Sequence, residues 1–509
     1  MKKIKLNAKW AFVSALIVCV MVPIVLNNIE RRARVDDSSA DVTLNIITSH
    51  NETIRIELGE AFQEWWKEET GETVYVNWLI SGGTSEARRA LDSKFSVAQN
   101  RGEEGIGVDV LFGGGDFEFR LHAEQGHLDK LDVFSDHSEW FQDDVIPASF
   151  TGETYYDAEQ RWTGVCLSRF GICYNVDVLK RLGMEPPCKW EDLADPKYFG
   201  KLALADPSKS GSVARAFEMI FQQQIQKSKG ELKQEAGETE FEYEMRARRE
   251  GWDKGLFIIQ RICANARYFT DSSAKVPYDV AQGDAAAGMC IDFYGLAYEE
   301  KLKKADGNSR MQWSWPEGGT SVSADPVAVF KGAPQRETAQ GFVKFLMSKQ
   351  GQVLWNMKPN VAGGTKYRAL RRMPIRKDVY TDEYMKGFTD PISPYEKISD
   401  GEGFEYQAEL TGGGFYSIQF VIRVLCIDLH EELRAAWSAM IEADVPERAE
   451  LIFSDTAPVS YQNTMGHIRG KISQGSKIGV TNMARHLNKY FRKNYAKAAA
   501  ISKEELGKR

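Results

Sequence analysis

The sequence predicts an α/β fold followed by a mainly helical C-terminal extension. Two observations predict it. Four short apolar runs each lead through a polar or glycine-rich turn into residues at helical spacing. The chain, at 509 residues, is long enough for two or more domains with full cores. The net charge of -7, with no basic stripe carrying interleaved aromatics, gives no support to nucleic-acid binding.

Lys2, Lys3, Lys5 and Lys9 precede an apolar run from Trp10 to Leu26. That pattern is a secretory signal or a single membrane anchor, and positive residues ahead of it favour export of the downstream chain. No small-x-small cleavage site comes after the run, since Asn27, Asn28, Glu30 and Arg31 are next. The run therefore reads as an uncleaved anchor in preference to a cleaved signal, and Asp36 to Asp41 reads as a polar linker.

The first unit is strand Val42–Thr48, the turn Ser49-His50-Asn51-Glu52, and a helix over Thr53–Glu69 with Ile54, Leu58, Ala61, Phe62, Trp65 and Trp66 on one face. Gly71 stops it. The second is strand Val74–Ile80, the turn Ser81-Gly82-Gly83-Thr84, and a helix through Leu91 and Phe95. Val97 to Gly107 reads as a surface loop. The third is strand Val108–Phe112 with Gly113, Gly114, Gly115 and Asp116 ahead of a helix bearing Phe119 and Leu121.

Thr163 to Asn175 reads as one long apolar strand with Arg169 at its middle; a central arginine there either pairs with a carboxylate or faces a cleft. The fourth unit is strand Gly200–Ala205, the turn Asp206-Pro-Ser208-Lys-Ser210-Gly211-Ser212, and a helix from Val213. Ser208, Ser210 and Ser212 are candidate N-caps, and a helix start suits an anion.

Gln222–Gly251 is dense in charge and reads as a solvated helical insertion. Trp252–Ala264 and Val276–Gln282 read as helices. Ala285–Ile291 reads as a buried strand ending in Asp292-Phe293-Tyr294. Asp325 lies in the next extended segment, which runs to Phe330, and Glu337–Ser348 is helical. From Tyr367 the pattern is less regular, apart from an amphipathic helix over Phe420–Met440 and a basic helical last stretch with Arg485, Lys489, Arg492, Lys493 and Lys497. That stretch reads as a solvated helix in preference to a membrane-surface contact. Of the seven cysteines, Cys166 and Cys173 lie in one predicted extended run, roughly 23 Å apart at about 3.3 Å per residue, too far to bridge. Free buried thiols are the expectation.

Gly107-Val-Asp-Val-Leu-Phe-Gly-Gly, Tyr174-Asn-Val-Asp-Val-Leu, the turn at Asp206, Gly283-Asp-Ala-Ala-Ala-Gly-Met and, above all, Lys331-Gly-Ala-Pro through Phe342-Val-Lys-Phe-Leu-Met-Ser-Lys-Gln-Gly-Gln resemble the extracellular solute-binding proteins of ABC transporters. The resemblance covers roughly residues 42–356, in the branch that includes binders of ferric ion, phosphonates, phosphosugars and polyamines. It implies a two-lobed, periplasmic-binding-protein-like (type II) fold with ligand held between lobes, no enzymatic activity and no required cofactor. Its implied partners are an ABC permease, an ATPase and a small solute. The implied division is an anchor and linker over 1–40, lobe one over 41–164 and again over 320–366, lobe two over 165–319, and a helical extension over 367–509. Hinge bending would occur near Val165–Tyr174 and Ser321–Phe330.

The candidate ligand-binding residues are Ser49, His50, Asn51, Glu52, Ser81, Gly82, Gly83, Thr84, Gly114, Asp116, Arg169, Ser208, Ser210, Gly211, Ser212, Asp292, Tyr294 and Asp325. The resemblance leaves two ligand chemistries open. Fe3+ prefers oxygen donors, and His50, Glu52 and Tyr294 would be its ligands; but Phe293 stands where the ferric-binding branch usually carries a second tyrosine. An organic anion would use the turn amides with Arg169 as a clamp. A ligand sensor signalling to a membrane partner shares all these features. A hydrolase would need a nucleophile with an oriented base, and no Gly-x-Ser-x-Gly elbow, His-Glu-x-x-His or P-loop is present.

Overall fold

The computed structural model describes residues 39–80, 84–395 and 403–508. The apolar run Trp10–Leu26 and the turn residues Ser81, Gly82 and Gly83 lie outside them. The first unit is strand β1 (Val42–Thr48) and helix α1 (Glu52–Thr70). The Asn51 side chain accepts from the Ile54 N–H at 3.0 Å, and Gly71 closes the other end at φ 81°, which favours glycine. Next come β2 (Val74–Ile80), α2 (Thr84–Arg101), β3 (Val110–Phe112) and α3 (Asp116–Glu124). α2 takes in the first part of the stretch expected as a loop, because Ala98 packs into the core that includes Leu91 and Phe119.

The long apolar run is two strands, not one. β4 (Thr163–Ser168) and β5 (Phe170–Asn175) belong to different sheets, and Arg169 is the step between them. Beyond it lie β6 (Leu202–Ala205), α4 (Gly211–Glu231), α5 (Glu240–Asn265), β7 (Ala266–Thr270), α6 (Lys275–Gln282) and β8 (Ala287–Ile291). The charge-dense stretch is therefore the hairpin end of two packed helices. Only its outer face is solvated, since Gln222, Gln223, Gln224, Ser228, Ala247 and Gly251 are buried. Asp292 opens a helix not read from the sequence, α7 (Asp292–Lys301), and β9 (Met311–Ser314) comes after it. The chain then crosses back to β10 (Ser323–Val329) and α8 (Arg336–Met347).

One sheet has the order β11-β4-β10-β3-β1-β2, where β11 is the two-residue strand Met373–Pro374; the other is β9-β5-β8-β6-β7. β2, β1 and β3 run parallel, as do β8, β6 and β7, so the turns after them collect at the strands' carboxyl ends. The chain passes between the sheets at Arg169 and again between Ser314 and Ser323, so the two sheets form two lobes joined by two crossings. Each sheet carries its own core: Phe62, Trp66, Phe112, Phe342 and Trp355 on the first, and Phe217, Ile259 and Met289 on the second. The cysteines described are free; Cys166 and Cys173 sit in separate sheets.

The C-terminal region is helical, and it does not stand apart. Helices α9 (Phe415–Ile422), α10 (His430–Glu442) and α11 (Lys477–Gly507) merge into the second core through Val421, Leu425, Trp437, Phe491 and Tyr495. The helix expected over Phe420–Met440 is interrupted by a π-turn at Arg423–Ile427. Residues 367–395 instead join the first sheet, with Leu370 and Ile375 in its core. The stretch 406–416, which runs into the first turn of α9, touches both halves. Tyr406 donates its N–H to the Thr151 carbonyl at 2.9 Å and its hydroxyl to Glu218 of α4 at 3.0 Å; Tyr416 donates to Glu118 of α3 at 2.8 Å.

Candidate ligand cleft

A cavity of about 420 Å³ opens between the sheets at the carboxyl ends of their strands. Ser49, His50 and Asn51 follow β1, and Gly114 and Asp116 follow β3. From the other sheet, Ser210, Gly211 and Ser212 follow β6, and Phe293 and Tyr294 follow β8. Asp325 enters from β10, on the second crossing. Ten of the expected site residues thus share one wall system.

Glu52, Ser208, Arg169 and Asp292 do not line it. Glu52 is exposed and absent from the cavity wall, while His50 is buried and lines it, so the two do not form a ligand pair. Ser208 turns its hydroxyl to Asp206 at 2.7 Å. Arg169 is buried, with its guanidinium 4.9 Å from the Trp315 ring and 3.3 Å from the Pro394 carbonyl, so it packs the crossing and does not clamp a ligand. Asp292 is spent on the same crossing, where its carboxylate accepts the backbone N–H of Arg169 at 2.8 Å and that of Phe293 at 2.7 Å. Ser81, Gly82 and Gly83 lie outside the described residues. Thr84 opens α2, whose Glu86 reaches the cavity rim.

Two arginines that sequence reading did not single out dominate the electrostatics. Arg372 stands just before β11, in the stretch expected to be irregular, and its side chain is 1% exposed. Its guanidinium pairs with Asp325, donates to Ser168 Oγ at 3.1 Å and lies 4.5 Å from the Phe293 ring. Arg372 Nε is buried without a hydrogen-bond partner. Burial opposes the charge of Arg372, but Asp325, Cys166 and Asp292 outweigh it and hold the pKa up. Asp325 in turn loses by burial and gains more from Arg372, so it stays ionised. Burial pushes the Asp292 carboxyl up to about 6, against the pull of Arg372. It also depresses His50 to about 4, so the imidazole facing the cleft is neutral at pH 7.

Arg215 does the same work across the floor. It donates to Glu218 at 2.7 Å and to Glu153 at 2.6 Å, and stacks 3.9 Å from the Tyr406 ring. Its position inside the apolar pattern Val213-Ala-Arg-Ala-Phe was the available signal, the same one that marked Arg169. Burial outweighs Arg215 at Glu153 and pushes that carboxyl up to about 7. A glutamate unfolds to a value near 4.5, so the cost of its charge is absent below that pH and complete above about 7. Glu153→Gln, which leaves Arg215 its Glu218 partner, is therefore expected to melt with the wild type near pH 4. Above about pH 8 it should be more stable by on the order of 3 kcal/mol. Calorimetric melts across pH check this.

α1 is capped by Asn51, but α3 and α4 start without any side-chain cap. The first turn of α3 already holds Asp116, paired with Arg120 at 3.1 Å. The first turn of α4 holds no acidic residue, so, among the described residues, the N–H groups at Gly211 and Ser212 are open donors on the cavity wall beside Arg372.

Residues 123–362 match the family of bacterial extracellular solute-binding proteins. That segment is similar to an extracellular solute-binding domain. His50 and Asn51 precede the matched segment, and Arg372 lies beyond its end. A phosphoglycerate transport regulatory protein, PgtC, of Salmonella typhimurium is 26% identical over 188 residues, 37% of this chain and 39% of that protein. The match thus spans well under half of that relative's length. An uncharacterized protein of Haemophilus influenzae is 24% identical over 193 residues, 38% of this chain and 46% of the other. Among solved structures, the periplasmic binding protein AfuA of Actinobacillus pleuropneumoniae, with fructose-6-phosphate bound, superposes over 67% of this chain and 86% of its own, at 19% identity and TM-score 0.47. Iron-bound HitA of Pseudomonas aeruginosa covers 75% and 99%, at 16% identity and TM-score 0.48.

Proposed function

We propose that this chain is the extracytoplasmic solute-binding component of an ABC importer and that its cargo is a small organic anion bearing a phosphoryl or comparable oxyanion group. One observation carries the reading: the uncapped start of α4 faces, across one cavity, the buried guanidinium of Arg372. Backbone N–H groups at a helix start and an arginine fork are the two protein groups best suited to a phosphoryl oxyanion. The printed name of the Salmonella relative supports a phosphorylated cargo. It also supports a second reading, in which the loaded protein signals to a membrane partner.

Ferric iron is the competing cargo. Burial raises the Tyr294 phenol, so the tyrosinate that Fe3+ needs is disfavoured. Phe293 supplies no oxygen, and the permanent charge of Arg372 repels a trivalent cation. Among the described residues, no three His, Cys, Asp or Glu side chains converge as a metal site.

Titration calorimetry with sugar phosphates, phosphoglycerate and ferric citrate tests the proposal. The expected result is saturable binding of a phosphorylated solute without turnover, and only a modest loss in Tyr294→Phe. A visible charge-transfer band with ferric citrate, abolished by Tyr294→Phe, would replace the anion with iron. Steady release of product from a phosphoester would replace transport with hydrolysis.

A further inference from the structure

The C-terminal helix α11 buries Leu487, Phe491, Tyr495, Ala498 and Ile501 against α10 and its neighbours, which fixes the face it turns outward. From Lys477 to Ser502 it contains no Asp or Glu, in a chain whose net charge is -7. Arg485, Lys489 and Lys493 are exposed on that face, and among the described residues none has a carboxylate within ion-pair reach. Ile478 begins the same stripe, since positions 478, 485, 489, 492 and 493 recur at helical spacing, and it is 77% exposed. Beside the stripe lies a second cavity of about 420 Å³, walled by Arg423, Arg485, Asn488 and Arg492. The π-turn sets Arg423 at its edge, and Arg423 Nε is buried without a hydrogen-bond partner. Two carboxylates temper the groove: Asp428, 3.7 Å from Arg423, and Glu432, 2.7 Å from Arg492.

We propose that this face of α11 docks on the anionic phospholipid surface of the membrane outside the cytoplasm, with the groove taking a headgroup phosphate. Three features favour a lipid leaflet over an acidic protein. The cations form a row with Ile478 along one side of the helix, spanning about 22 Å from Ile478 to Lys493 at 1.5 Å per residue, which suits a plane of repeated phosphates. Ile478 stands in the row as an apolar side chain able to enter the headgroup boundary. The segment Trp10–Leu26 reads as an anchor, which would keep the domain within reach of the leaflet and make docking intramolecular. The interaction is separate from the ligand cleft, so it neither requires nor excludes the proposed cargo.

The test uses the full chain with an environment-sensitive fluorophore on Ile478→Cys, in a background of Cys19→Ser and Cys188→Ser. It is reconstituted with vesicles of phosphatidylcholine alone or mixed with phosphatidylglycerol. The expected result is a blue shift and quenching by lipid-borne quenchers only with phosphatidylglycerol, reversed at about 1 M salt, where the Debye length is about 3 Å. Each cation near an anionic leaflet contributes roughly fivefold, so Arg485→Gln/Lys489→Gln/Lys493→Gln should weaken docking on the order of a hundredfold. Its melting temperature should be unchanged, because these side chains carry no native ion pair. Equal emission with both vesicle types, or an unchanged shift in the triple variant, overturns the proposal. So does a response to inorganic phosphate with phosphatidylglycerol silent, which assigns the groove to a free anion. A response only to an added acidic protein overturns it in favour of a protein partner.

Discussion

Replacing Arg372 with methionine should abolish high-affinity capture and destabilise the fold at neutral pH. The guanidinium is buried between Asp325, Ser168 and the Phe293 ring, and it lines the cleft. Its removal leaves the Asp325 carboxylate buried and uncompensated, which typically costs about 3–5 kcal/mol. Asp325, held ionised by Arg372, would then titrate upward, so the lost stability should return as the solution is acidified. The affinity loss should exceed a hundredfold, because the anion forfeits a charge-assisted pair inside a partly desolvated site. A second variant separates the two effects. Arg372→Met/Asp325→Leu removes the stranded charge and should recover most of the melting temperature while binding stays lost. Recovery of calorimetric affinity together with stability would make Arg372 a packing residue and leave the cleft without its cation.

The local units were legible in the sequence because each is specified by its own residues. Asn51 and Gly71 mark the ends of α1 about five turns apart, and the strand-turn-helix repeats place Ser49, Gly114 and Ser210 at carboxyl ends whatever the partners are. Arg169 shows the limit of that local reading. Its setting in an apolar run announced a buried charge, but not that the run changes sheets at that residue and turns the side chain toward Trp315. Arg372 carried no signal at all. It is placed by a two-residue edge strand whose pairing with β4 joins positions far apart in the chain. The C-terminal helices posed a similar problem: an amphipathic face states that something covers it, but nothing in Val421, Trp437 or Phe491 names the core of the second sheet as the cover.

The opposite wall of the cleft admits a sharper experiment, because the group to be removed is a backbone N–H. Gly211 is the first residue of α4, and Ser210 before it is extended, at φ -111° and ψ 109°. Proline is well suited to the first helical position, and the residue ahead of it prefers just such an extended backbone. Gly211→Pro should therefore leave the helix intact and, by restricting the unfolded chain, raise stability by about 0.4–1 kcal/mol. It deletes one of the donors that no side chain caps. If the cargo's oxyanion sits at this helix start, affinity should fall by roughly tenfold to a hundredfold, the value of one hydrogen bond to a charged group. Gain of stability with loss of binding is an outcome that a purely structural turn would not give. Calorimetric melting and titration of the same preparation measure both quantities. Unchanged affinity for the phosphorylated solute in Gly211→Pro would move the oxyanion away from α4, and the two sheets would then no longer share one anion between their facing walls.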